Sequence, residues 1–153
     1  MGTTKGVREL IYEDKYFNEY LRNGIIIDSC ILLEFFKLVY QKNNGITITK
    51  EETILLDRLE RIFSLGTQKY ITSHVLAELS NLINTKVCKA GSTSFCKCIL
   101  LMKQELNKEE YKEIHLDKEK ILNTEEIIKF GVTDAGIILL SKEDKKISIC
   151  LAL

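Results

Sequence analysis

Short apolar runs alternate with longer helical patterns along this chain, and that order limits the fold more than any other feature of the sequence. Strand patterns occur at residues 25–28, 69–72, 111–116 and 147–151, and helical patterns separate them. Parallel strands need a crossover connection, which is usually a helix. The order therefore predicts an α/β fold, a three-layer α/β/α sandwich with a mainly parallel sheet of about four strands.

The helical patterns carry their own start signals. Thr49 and Glu52 have the spacing of a capping box, which predicts a helix that begins there and continues to Gly66. Other helices are predicted at residues 31–40, from 73 onward, and at 94–106, 124–130 and 133–142. A length of 153 residues is typical of one domain. Residues 1–153 are therefore predicted to form a single domain with an additional N-terminal helix at about 7–22.

Composition and charge exclude several classes of protein. The 22 basic and 22 acidic residues give a net charge of +0, so no overall field would attract nucleic acid, and phosphate binding would depend on local patches or bound metal. The start of the chain lacks the apolar region of a signal peptide, and no apolar stretch approaches the roughly 20 residues of a membrane span. The five cysteines are odd in number, which favours reduced thiols. A cytoplasmic protein without a membrane partner is predicted.

Three carboxylates lie inside apolar sequence, where an unpaired charge is costly. Asp28 lies at the carboxyl end of the first predicted strand, Glu78 lies within the helical pattern after the second strand, and Asp134 begins a later helix. Binding sites in parallel sheets form beyond the carboxyl ends of the strands. Helical periodicity places Glu78 at the border of a buried stripe and turns Asp134 inward. The three acids are therefore expected to converge at one edge of the sheet.

Converging carboxylates repel one another, and each raises the pKa of its neighbours. A hard cation such as Mg²⁺ or Mn²⁺ removes that penalty, because oxygen ligands suit it. A bound metal ion can then activate water and stabilise charge on a phosphodiester. The hydroxyl groups of Ser29, Thr72 and Thr133 are predicted to orient ligands or waters around such an ion.

Residues 25–30, 71–79 and 131–135 together resemble the motifs of PIN (PilT N-terminus) domain ribonucleases, in the same order. The resemblance covers the chain from about Gly24 to its end. It implies a metal-dependent endoribonuclease that hydrolyses single-stranded RNA, with Asp28, Glu78 and Asp134 as catalytic and metal-binding acids for Mg²⁺ or Mn²⁺. Many members of the family are toxins neutralised by an antitoxin protein, and many form homodimers, so these partners are expected by resemblance.

The chain departs from the family's pattern after the last predicted strand. The family usually places a further acid there, whereas this chain has Ala152 and Leu153. The departure predicts a weakened second metal ion and slow turnover. It also leaves open an alternative of a different class, a catalytically inactive PIN-like interaction module.

Each acid also has a structural interpretation. Asp28 could serve as the N-cap of the following helix, and Glu78 could pair with a buried Lys or Arg. Asp134 in a first helical turn gains from the helix dipole whatever else it does. Lys86 and Lys89, after the Glu78 helix, could contact phosphates or form a solvated helix end. The joint placement of the three acids favours the metal-site interpretation.

Overall fold

A parallel β-sheet forms the centre of the protein, whose computed structural model describes residues 22–144 and 147–149. Every pairing in the sheet is parallel, and the strand order is β3-β2-β1-β4. The strands are β1 (Ile25–Ile27), β2 (Lys69–Thr72), β3 (Tyr111–Ile114) and β4 (Ile147–Ile149). The predicted α/β class and parallel sheet are confirmed. The predicted helix at about 7–22 lies outside the described residues except for Arg22, which is helical.

The central strand β1 consists of three isoleucines with no exposed surface. A continuous apolar run of this kind is typical of a parallel strand that is covered on both faces. Gly24 precedes β1 with φ +106°, and a Cβ atom there would lie 2.3 Å from Cε2 of Tyr70. Glycine therefore lets the chain enter the sheet beside the Tyr70 ring of the neighbouring strand.

Six helices are described, together with one π-helical turn at Ile83–Val87. The helices are α1 (Ser29–Asn43), α2 (Lys50–Phe63), α3 (Ser73–Leu82), α4 (Thr93–Leu106), α5 (Lys118–Leu122) and α6 (Glu126–Asp144). The sequence did not predict α5, because its five residues are too few to show a period. It also did not predict the π-helical turn.

The predicted capping box starts α2 as expected. The backbone N–H of Glu52 donates to Thr49 Oγ1 at 3.1 Å, and the backbone N–H of Thr49 donates to Glu52 Oε2 at 2.8 Å. These two bonds satisfy donors that the first turn of a helix leaves free. At the other end of α2, the Phe63 ring stacks on Phe35 of α1 with centroids 4.3 Å apart. The stacked pair joins these two helices in the core.

Gly131 interrupts α6 with φ 80° and ψ −179°, so two helical segments meet there. This break agrees with the two separate helices predicted before and after residue 131. Beyond it, the helix buries Ala135, Ile137 and Leu140. Gly136 lies on the same side, where a Cβ atom would be 2.4 Å from Cδ1 of Leu116. A larger residue at position 136 would therefore clash with Leu116.

The helices of the described ranges include none that combines the length and the apolar character needed to cross a membrane.

Candidate active site at the carboxyl edge of the sheet

The order of the strands changes direction at β1. The chain passes from β1 to β2 on one side of β1, whereas β4 pairs with β1 on the other side. Ligands bind in α/β sheets at such points, where neighbouring connections run in opposite directions. Asp28 is the first residue after β1, so it lies at this point of the sheet's carboxyl edge.

Asp28 is 7% exposed and has extended backbone angles, φ −80° and ψ 155°. Its Oδ1 accepts the backbone N–H of Ser29 at 2.7 Å at the start of α1. The N-cap interpretation of Asp28 is therefore confirmed. Capping does not exclude a ligand role, because a carboxylate has four lone-pair sites and this bond occupies one of them.

Ser29 connects Asp28 to Glu78. Its Oγ lies 2.9 Å from Glu78 Oε2 and 3.3 Å from Asp28 Oδ1, and the serine is 1% exposed. A hydroxyl has one proton, so the shorter contact is the better donor bond, to Glu78. The two carboxylate oxygens can be no farther apart than the sum of these distances. The structure thus brings together two of the three predicted acids.

Glu78 reaches this position because α3 starts directly after β2. Thr72, the last residue of β2, caps the helix, and its Oγ1 accepts the backbone N–H of Val75 at 3.2 Å. The cap fixes where α3 leaves the sheet edge, and Glu78 follows within the next two turns. Thr72 therefore has a structural task, while the predicted roles of Thr72 and Thr133 in orienting ligands stay predictions.

The charges of the other two acids act on the carboxylate of Asp134. Loss of hydration around its carboxylate, and then the charges of Asp28 and Glu78, raise the pKa of Asp134 above its ordinary value. A carboxylate acquires such a shift when like charges lie close to it. The residue as a whole is solvent-exposed.

The prediction that Asp134 faces inward is therefore wrong. It assumed that Asp134 shares the buried side of the helix with Ile137 and Ile138. Asp134 is instead exposed, whereas Ile137 is buried and Gly136 lies close to Leu116. Sequence alone does not show which side of a short helix its neighbours will cover.

None of the three acids forms an ion pair with a Lys, Arg or His in the part of the chain that the structure describes. The structural alternative for Glu78, a pair with a buried Lys or Arg, is not seen among those residues. The buried Asp28 and the half-buried Glu78 therefore accept hydrogen bonds from Ser29, and neither they nor Asp134 form an ion pair with a described cation. Such an edge attracts positive charge.

Cys30 belongs to the same neighbourhood, which the sequence did not indicate. Burial, and then the charges of Asp28 and Glu78, raise the pKa of the Cys30 thiol, while Lys86 acts in the opposite direction. A thiol with a raised pKa holds its proton at neutral pH and is a poor nucleophile and metal ligand.

The donor atoms at this edge suit a hard divalent cation, because Asp28, Glu78 and Asp134 all offer carboxylate oxygens. Their arrangement is incomplete. Within residues 22–144, no three His, Cys, Asp or Glu side chains are grouped closely enough to hold one ion as they stand. A shared ion would therefore require at least one of the three side chains to move, and Asp134 is the exposed one. The metal-ion prediction stays a prediction, and Ala152 and Leu153 lie outside the described residues.

No protein-family model matches the chain, and a search of curated proteins finds no match either. The resemblance to PIN domains thus depends on the three sequence motifs alone.

Proposed function

We propose that this protein is a PIN-like, metal-dependent endoribonuclease that hydrolyses phosphodiester bonds of single-stranded RNA. The observation that supports the proposal is the pairing of Asp28 and Glu78 through the hydroxyl of Ser29, within the electrostatic range of Asp134. Three carboxylates at one edge of a parallel sheet, without an ion pair in the described ranges, favour a divalent cation as their partner. A three-layer arrangement of the PIN type is part of the proposal.

Mg²⁺ or Mn²⁺, when bound, would supply a low-pKa water and stabilise charge on the phosphate. The chain's own residues provide the frame for this chemistry. The backbone N–H of Ser29 fixes the Asp28 carboxylate, and the Ser29 hydroxyl fixes that of Glu78. Fixed ligands lower the cost of binding an ion, because their side chains are already ordered. Asp134 is exposed, so it can reach a ligand that approaches from solvent.

The proposed partners follow from the resemblance and from the charge of the chain. With a net charge of +0, RNA would be recognised locally at the acidic edge rather than by an overall field. A toxin role with an antitoxin protein that blocks this edge, and a homodimer, are further parts of the proposal.

The decisive experiment measures cleavage of a fluorescent single-stranded RNA with Mn²⁺ and with EDTA. We expect Mn²⁺-dependent cleavage by the wild type and a loss of about 100-fold or more in Asp28→Asn and Glu78→Gln, because each removes a charged ligand. Asp57→Asn and Glu51→Gln are matched controls, since both side chains are exposed on α2. Equal cleavage by Asp28→Asn and the wild type would refute the assignment of this edge as the active site.

A catalytically inactive PIN-like interaction module is the second candidate. It is favoured by the absence, within the described residues, of a ready set of three metal ligands. Under this alternative, the wild type would cleave no RNA at any Mn²⁺ concentration that saturates the protein, and Asp28→Asn would leave protein partners bound. The cleavage assay therefore separates the two candidates directly.

A further inference from the structure

The π-helical turn after α3 changes where the following side chains point. The backbone N–H of Cys88 donates to the carbonyl of Ile83 at 3.0 Å, an i+5 bond that closes the wide turn of Ile83–Val87. An α-helix advances about 100° per residue, whereas a π-helix of about 4.4 residues per turn advances roughly 82°. Turns of this kind occur often at functional sites.

The wide turn brings Lys86 towards the face of Glu78. In an uninterrupted α-helix, Lys86 would lie about 80° around the axis from Glu78. The π-helical turn reduces this offset to within about 30°. Side chains on a helix lean towards its N-terminus, so a lysine at position 86 can reach back in the direction of Glu78.

Lys86 is exposed and forms no ion pair with any residue of the described ranges. The helical geometry therefore places one accessible ammonium group on the side of the helix that carries Glu78.

We infer that Lys86 binds a backbone phosphate of the RNA substrate beside the acidic site and positions the strand for cleavage. This inference rests on the proposed function. A polyanion that approaches three carboxylates needs a local cation, because the chain has no net positive charge. Lysine suits this task as a flexible point charge that contacts phosphate without reading sequence. Lys86 is thus a positioning residue and not a metal ligand.

Binding is tested with a fluorescein-labelled, cleavage-resistant 12-nucleotide RNA by anisotropy, with saturating Mn²⁺ at several KCl concentrations. We expect Lys86→Ala to weaken binding about three- to tenfold. We also expect the slope of log K against log salt to fall by about 0.7, the value for one contact with a single strand. Lys86→Arg should retain binding, because it keeps the charge. Lys89→Ala is the matched control, an exposed lysine three positions on and beyond the π-helical turn.

Two further measurements separate failure of this inference from failure of the proposed function. Calorimetry should show equal Mn²⁺ binding by the wild type and Lys86→Ala, and cleavage by Lys86→Ala should show a raised KM with little change in kcat. If the wild type binds Mn²⁺ and RNA but Lys86→Ala matches Lys89→Ala in affinity and slope, Lys86 has no such role. If the wild type binds neither, the proposed function fails and the inference falls with it.

Discussion

Ser29 and Glu78, separated by 49 positions in the chain, are joined by a hydrogen bond of 2.9 Å from Ser29 Oγ to Glu78 Oε2. The bond ties the first turn of α1 to the middle of α3, so it links the helices that follow two neighbouring strands. Because Ser29 also contacts Asp28, the distance between the two acids depends on this serine. A local substitution at Ser29 should therefore affect both the stability and the geometry of the site.

We expect Ser29→Ala to lower the free energy of unfolding by about 1–2 kcal/mol, because it removes a donor to a charged acceptor in a buried place. Half-buried Glu78 can recover part of this loss by contact with water. Urea denaturation measures the change. Ser80→Ala is the control, since Ser80 is a half-buried serine on the same helix as Glu78. A loss equal to that of Ser80→Ala would show that the Ser29 bond adds nothing to stability.

Local patterns in the sequence were sufficient to predict the strands, the capping box at Thr49 and the position of Asp28 at a strand end. Each of these depends on residues close together in the chain. The buried strand β1 is an uninterrupted apolar run, and the cap needs only two side chains three positions apart. Short-range chemistry of this kind is decided before the helices pack, so the sequence shows it directly.

Packing between distant segments decided what the sequence could not show. Asp134 is exposed, and the same helix approaches Leu116 closely at Gly136, a contact between residues that are distant in the chain. The Ser29–Glu78 bond and the proximity of Cys30 to both acids also depend on how α1 and α3 pack together. The π-helical turn at Ile83–Val87 leaves no signal in hydrophobic periodicity.

Gly24 and Gly66 give a matched pair of glycine substitutions. Gly24→Ala should lower the free energy of unfolding by about 2–4 kcal/mol, because the new Cβ would meet the Tyr70 ring and a positive φ disfavours alanine. Gly66→Ala should change stability by less than about 1 kcal/mol, since nothing lies within 4 Å of a Cβ there. Urea or thermal denaturation compares the two variants. Similar effects would contradict the close approach of β1 to Tyr70.

Metal binding should stabilise the folded protein selectively, because the acids converge only after folding. A ligand at 100 times its Kd adds about 2.7 kcal/mol to the free energy of unfolding. We therefore expect Mn²⁺ to raise the Tm of the wild type, and EDTA to reverse the rise. Asp28→Asn should lose most of the effect, whereas Asp57→Asn should keep it, because Asp57 is exposed on α2. Equal rises in Tm with Mn²⁺ in all three proteins would show that the ion binds at a site other than these three acids.

Asp134→Asn should make stability less dependent on pH. The pKa of Asp134 is raised from its ordinary value of 3.8 by partial desolvation and by the charges of Asp28 and Glu78. The folded protein therefore holds this proton more tightly than the unfolded chain does. Protonation of Asp134 therefore contributes to the free energy of unfolding. This contribution is fully present below pH 3.8 and is lost as the pH rises through the pKa of Asp134 in the folded state.

The variant has no carboxylate at position 134, so its free energy of unfolding should not fall in this way. The difference in free energy of unfolding between variant and wild type should therefore grow between about pH 3.5 and pH 7, and at pH 7 the variant should be the more stable protein. The gain should stay below about 1 kcal/mol, because water screens an exposed group. Urea denaturation across this pH range measures it, with Asp57→Asn as the control for removing a carboxylate on α2. A constant difference between variant and wild type would show that Asp134 does not feel the charges of Asp28 and Glu78.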